Sequence, residues 1–444
     1  MAEIAPLHAL RYFVSHGTDP GALLAPPYDV ISERERELLE RRHEHNVVRL
    51  DLPRGEGDEK YATSRRLLDQ WIEAGVLRED PRPAFYRYEQ IFSHPPGADA
   101  RRYVRKGFVA LLRLSPFSAG VVLPHERTLA GPKIDRQKLM RATGAHFSQI
   151  FTLYRDPAAE TDAAFAPIEA LAPDLDAVTP DGCRHRLWVV ADPAIIRRVT
   201  EILAPKRLMI ADGHHRYETK VALRDELRPR QAPPGMSLAD WGTVFFARAE
   251  DPGLLVLPTH RLIKNLGVDV LAGLRSRAAP WFEISEGDES DAAAIEARLA
   301  RARPARVTLA LRQFGRPRTT WFTVRPDADL TSLGPPLLRG LDVVVLHGLL
   351  LGPLLGIEQE ALAREAHLAY THDTAEGLAA VAAGRVQAGF FMNPTAIDDV
   401  LGACEAGFVL PQKSTYFQPK LATGLVMARI DPDRPPVRCE KATA

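Results

Sequence analysis

The clearest change of pattern along the chain falls at 207–227, RLMIADGHHRYETKVALRDEL. Leu208, Met209 and Ile210 form an unbroken apolar run, the mark of a buried strand, and Asp212 and Gly213 end it. From His214 the spacing becomes helical. Tyr217, Val221 and Leu223 share much of one flank, and Arg216, Lys220 and Arg224 recur every four residues. The stretch therefore predicts strand, glycine turn, helix.

The same reading predicts helices over 33–42, 58–75 and 193–203. Ser32 with Glu35 forms a capping box for the first, and Leu67, Leu68, Trp71 and Ile72 are the buried side of the second. Strands are expected over 47–50, 84–92, 103–114, 147–154, 186–191 and 242–249, with 84–92 and 103–114 as a hairpin. Segment 122–138 lacks periodicity and reads as a polar loop. From Asn265 the character changes. Helices are expected over 268–278, 291–302, 373–383 and up to Cys404, and a hairpin over 306–314 and 319–326. A strongly apolar helix is expected over 338–355, with His347 as a packing residue. This mixture predicts an α/β (mixed α+β) protein in two regions. The first, 1–264, would bind phosphate or nucleotide; the second, 265–444, would complete the site with its KSTYFQPK loop.

Composition narrows the function. At 444 residues the chain has room for two or three domains, and 45% apolar with 26% charged residues is the balance of a globular protein. Lys plus Arg equals Asp plus Glu at 57 each, so bulk charge gives no ground for nucleic acid as a partner. Cys183, Cys404 and Cys439 are far apart and match no zinc spacing, which suits a reducing, cytoplasmic setting. The opening MAEIAPLHALRYF lacks the apolar core of a signal peptide. LATGLVMARI at 421–430 is too short to span a bilayer, so no membrane association is expected. Serine elbow, kinase and dinucleotide signatures are missing from the sequence.

Candidate chemistry gathers in three places. A helix start at His214 offers free backbone N–H groups. Asp212, Gly213, His214, His215 and Arg216 together suit a phosphate or a carboxylate, and the histidines suit proton transfer near neutral pH. Three plainer readings stand beside this one: Asp212 as a helix cap with surface polar groups around it, His214 and Glu218 hydrogen-bonded on a helix face, or the same two as a metal pair at i,i+4 spacing. The second place is LLAPPYDVIS. Pro26 and Pro27 hold it extended and fix the position of Asp29, which either takes a proton, orients water or holds magnesium, or merely ties the turn before Ser32. The third comprises two polar segments. One carries His125, Glu126, Lys133, Asp135 and Arg136; the other, at 410–424, carries Lys413, Ser414, Thr415 and Lys420. Lys-Ser-Thr lacks the upstream glycines of a P-loop, so Walker A is rejected. A lysine-rich loop over a phosphorylated ligand and a packed tail remain. His260 and Arg261 follow a short strand and are expected at the surface.

Taken together, APPYDVIS, HE-T with PK-DR, ADGHHRYET, LPTHR, LDV--LH and P-KSTYF-PKL-TG resemble the DUF1015 family over nearly the whole chain. The Asp-Gly-His-His-Arg box also resembles, more distantly, the nucleotide-binding box of the ParB/sulfiredoxin superfamily, which includes free-serine kinases. That resemblance implies a ParB/sulfiredoxin-like nucleotide-binding core, with nucleotide phosphates at the turn. It also implies an acidic base from an earlier segment, Asp29 or Glu33. The activity it implies is phosphoryl transfer involving a small hydroxylated metabolite, serine or O-phosphoserine first. ATP or ADP and Mg²⁺ are the implied cofactors, with Asp29, His214 and His215 catalytic. Asp212, Gly213, Arg216, Lys133, Arg136, Lys413, Ser414 and Lys420 would bind the phosphates, and Asp29 and Glu218 the metal. Phosphoserine hydrolysis by the same residues, and a nucleotide-responsive ParB-like regulator, are the alternatives.

Overall fold

A computed structural model describes residues 1–13, 17–95, 100–126, 131–227, 235, 237–303, 305–357 and 366–437. The proline-rich break at 229–234 and Cys439 lie outside the described residues. Two units form. One comprises Met1–Pro124, Thr128–Leu255 and Pro419–Ala444; the other comprises His125–Arg127 and Val256–Gln418.

The first unit is built on one large sheet. Its strands are β1 (Ile4–Ala5), β2 (Phe85–His94), β3 (Arg101–Arg113), β4 (Val122–Leu123), β5 (Ile150–Tyr154), β6 (Leu175–Val178), β7 (Arg184–Val190), β8 (Leu208–Asp212) and β9 (Trp241–Arg248). They lie in the order β4-β8-β5-β9-β3-β2-β7-β6, with β1 beside β3. β2 and β3 are the expected antiparallel hairpin. Around the sheet lie helices α1 (Glu33–Arg42), α2 (Glu59–Glu73), α3 (Gly131–Thr143), α4 (Glu160–Glu169), α5 (Pro193–Leu203) and α6 (His214–Leu227). Phe85, Phe108, Phe246 and Phe165 pack at the centre of the larger core, with Phe108 and Phe246 stacked at 5.0 Å. A second core joins Leu68 and Trp71 of α2 to Leu139 of α3 and to Met427 from the chain's last segment. The capping box at the start of α1 forms as the Ser32–Glu35 spacing requires.

Two expectations fail in this unit. Segment 47–50 is not a strand: Val48–Asp51 is a helical turn. The reason is Asn46, whose amide donates to Ala22 and Leu24 carbonyls while its oxygen accepts the Val48 N–H at 2.9 Å. Segment 122–138 is not a loop at its two ends, and 127–130 lie outside the described residues. Its start is β4 and its end lies in α3, whose polar residues are spent on ion pairs to neighbouring segments.

The second unit has a six-stranded antiparallel sheet. Its strands are β10 (His260–Ile263), β11 (Phe282–Gly287), β12 (Thr308–Gln313), β13 (Thr319–Val324), β14 (Leu368–Thr371) and β15 (Ala388–Phe391), in the order β11-β13-β12-β15-β10-β14. Helices α7 (Ala292–Ala302), α8 (Thr374–Ala382) and α9 (Ile397–Glu405) accompany it, and Ile295, Leu299, Trp321 and Phe391 share a core. The apolar helix expected over 338–355 is broken into Pro336–Arg339, Asp342–Val345 and a π turn, Leu346–Leu351. Extended backbone at Leu341 interrupts it. Gly273 likewise divides 268–278 into two short helices. Among the described residues no helix is long and apolar enough to cross a membrane.

Candidate functional site

β8 brings the chain into the site, and its last pairing decides how. Opposite β5 the register slips between Ile210 and Asp212, so that Ala211 is an extra residue. Such a bulge turns the following side chain away from its regular direction. Gly213 then takes φ +94°, and a Cβ there would sit 3.0 Å from the Arg216 guanidinium. Glycine is thus required twice, for the turn and for the arginine folded over it. α6 starts immediately afterwards.

Asp212 is the last residue of β8. Its carboxylate accepts from Lys420 Nζ at 2.5 Å and from Arg216 four residues on. Burial would push the carboxyl up; Lys420 and then Arg216 more than offset this and hold it well below the ordinary range. Arg216 is buried and also donates to the Gln149 carbonyl at 2.5 Å. Burial works against its charge, and Asp212 first, then Asp29, Tyr28 and Asp51, reverse that. Among the described residues its Nε has no hydrogen-bond partner, and neither has Oδ2 of Asp51. The basic stripe Arg216–Lys220–Arg224 therefore faces inward. Lys220 donates to Thr243 Oγ1 at 2.9 Å, and Arg224 to the Leu114 carbonyl at 2.6 Å.

The proline strip lies within electrostatic reach. Tyr28–Val30 is one 3₁₀ turn, and the Tyr28 ring is covered by the Arg136 guanidinium at 4.1 Å. Burial, then Asp29, pushes the Tyr28 phenol up to about 12. Arg136 is fixed in turn by Asp135, at 2.6 Å, and by Asp51, at 3.2 Å. Asp29 itself is exposed, and among the described residues its carboxylate accepts no hydrogen bond. Glu33, one helix turn along, pairs instead with Arg36 at 3.4 Å. A cavity of about 590 Å³ opens beside this strip. Leu24, Ala25, Pro26, Leu39 and Pro180 form its apolar wall, and Lys420 is one of its polar groups.

The model of the family described as "Protein of unknown function (DUF1015)" matches residues 4–344, most of the chain. The chain belongs to the DUF1015 family. No curated protein matches it. Among solved structures it is similar to a conserved hypothetical protein from Pyrococcus furiosus, at 14% identity and TM-score 0.35, over 70% of this chain and 92% of that one. It is also similar to a mutant free serine kinase in complex with ADP, at 12% identity and TM-score 0.37, over 70% of this chain and 89% of that one. A truncated SbnI from Staphylococcus aureus aligns at 9% identity and TM-score 0.32, over 71% and 86%. At these scores the likenesses carry no argument about chemistry.

In this DUF1015 protein the first unit thus brings together Asp212, Gly213, His214, Arg216 and Lys420, with Asp29 and Arg136 linked to them through Tyr28 and Asp51. His214 is buried and His215 half-buried. Lys133 pairs with Glu218, so the proposed metal carboxylate already has a cation. Lys413 and Ser414 belong to the second unit. The Ser414 hydroxyl turns inward to the Pro411 carbonyl, and Lys413 is exposed with φ +54°. His260 and Arg261, expected at the surface, are both completely buried. His347 is more than a packing residue, since its Nε2 accepts from Arg261 at 3.2 Å. Tyr28, Asp51 and Gln149 were not foreseen. Tyr28 adjoins Asp29 in the motif, so its neighbourhood was the available signal; the other two come from segments with no motif.

Proposed function

We propose that the first unit binds the phosphates of ATP or ADP at the start of α6 and transfers a phosphoryl group to or from a small hydroxylated metabolite, serine or O-phosphoserine being the first choice. The observation that carries this is the pairing of opposites at one turn. A buried arginine sits over a glycine turn at a helix N-terminus, and an exposed carboxylate, Asp29, stands within its field. The helix end and Arg216 suit phosphate oxygens, and the partnerless Arg216 Nε is a donor left over for one. Lys420, now on Asp212, would neutralise charge as it develops. The apolar wall of the adjoining cavity suits the base or the carbon skeleton of a ligand.

Asp29 takes the proton of the attacking hydroxyl in this scheme, which requires a carboxylate not already engaged. Magnesium, when bound, would neutralise the phosphates. Among the described residues no three His, Cys, Asp or Glu side chains form a metal-binding group. This ion is usually held by one or two carboxylates shared with substrate phosphates, and Asp29 would be one of them only in place of its role as base. The test is Asp29→Asn, which keeps size and one acceptor. Turnover of serine with ATP, or of O-phosphoserine with ADP or water, should fall by ~10²–10⁴ with little change in melting temperature. Normal turnover in Asp29→Asn would remove the base; a wild type inert toward every one of these substrates would remove the reaction.

A further inference from the structure

We infer that the second unit carries its own oxyanion site, built on Arg261 and Lys413, for the phosphate or carboxylate of a small metabolite. Arg261 lies on β10 with no exposed surface. It donates to the Thr259 carbonyl, to the Gln412 carbonyl at 3.1 Å and to His347 Nε2 at 3.2 Å. All three acceptors are neutral. Burial, then Arg261 itself, holds the His347 imidazole well below its ordinary pKa, so its Nε2 is available as an acceptor. Among the described residues no carboxylate pairs with Arg261. In the first unit the buried Arg87, Arg136 and Arg216 each meet one, whereas Arg105 donates to the Gln90 side chain and the Pro419 carbonyl. A buried guanidinium without a counter-ion costs the fold free energy that well-placed apolar residues would not.

A second cation converges on the same place. Arg261 Cζ lies 5.3 Å and Lys413 Nζ 4.3 Å from the centroid of one ring, Tyr370. The lysine segment is held by its own unit. The Lys413 N–H donates to Glu126 at 3.0 Å, and Thr415 Oγ1 meets His125 Nε2 at 2.8 Å. The result is graded from inside to outside. Arg261 is buried, Tyr370, Gln412 and His347 are half-exposed, and Lys413 is exposed. A buried planar fork and an exposed ammonium beside one ring suit a phosphate or a carboxylate. The site does not depend on the reading of the Asp212 turn.

The full-length protein with ¹³C-labelled histidine is titrated with inorganic phosphate, and separately with acetate, at constant ionic strength, following the His347 ring signal by NMR. The signal is assigned with His347→Gln. A saturable shift is expected in wild type and in Arg216→Lys. The apparent affinity should fall ~10-fold or more in Lys413→Ala, whose side chain is exposed and whose loss leaves the fold intact, and in Arg261→Lys. Response to phosphate alone assigns a phosphate ligand; response to both assigns any oxyanion. No saturable shift with either anion, or an unchanged affinity in Lys413→Ala, overturns the site.

Discussion

Two arginines of this protein, Arg216 and Arg261, are both buried, and their surroundings are opposite. Arg216 meets Asp212, which also holds Lys420, and lies within the field of Asp29 and Asp51. Arg261 meets only carbonyls and an imidazole, and burial, opposed by Tyr370 and Glu126, brings its pKa down to about 10. In the first centre carboxylates already face the cations. Phosphate entering there has to exchange partners with Asp212, so its cations act most strongly when charge appears during reaction. The second centre keeps an excess of positive charge, which suits holding a ligand in its ground state. Motif density alone does not separate these cases; the position of the carboxylates does.

The largest test of that contrast is a pair of apolar replacements. Arg216→Met leaves Asp212 with Lys420 alone and should cost about 2–4 kcal/mol in a urea titration. Arg261→Met removes an uncompensated charge, a gain, along with its hydrogen bonds, a loss, and the two should nearly cancel, within about 1 kcal/mol. Equal costs would break the comparison. Gly213→Ala comes next. It forces a side chain into φ +94° and against the Arg216 guanidinium, at about 1–3 kcal/mol, and should weaken ADP binding at the same time. Calorimetry with ADP on this variant checks the second half.

Acid should affect both units in the same direction. Burial pulls His185 in the first unit down to about 4 and His260 in the second down to about 3. The unfolded chain, with histidines near ~6.5, binds these protons more readily. Stability is therefore complete above about pH 6.5 and falls as pH drops toward 4 and 3, by up to about 1.4 kcal/mol per pH unit for each histidine. Asp212, held low by Lys420 and Arg216, adds a further loss below about pH 4. Urea midpoints measured from pH 7 to 4 should decline, and His185→Gln should flatten the curve. The smallest effect is expected from Lys133→Ala. Its partner Glu218 is 30% exposed, as Lys133 is 29%, and such pairs contribute ~0–1 kcal/mol.

Much of this was readable from local pattern. The switch from apolar run to helical period at Gly213 marked β8 and α6, and Ser32 with Glu35 marked α1, because caps and periods are short-range effects. What escaped depends on partners far along the chain. The stripe Arg216–Lys220–Arg224 has the spacing of a solvated face, yet it is buried because carbonyls of residues 114, 148 and 149 and of Thr243 lie across from it. Asn46 turned an apolar run into a helical turn through carbonyls of residues 22 and 24. Lys420 stands 208 residues from Asp212, and nothing near either one announces the other.

The most direct measurement is a crystal structure of the protein with ADP bound. The account predicts its phosphates over Gly213 at the first turn of α6, hydrogen-bonded to backbone N–H groups there and to Arg216, with the Asp29 carboxylate facing the terminal phosphate. ADP bound with its phosphates away from this turn, and with the Asp212–Arg216 pair untouched, would contradict it.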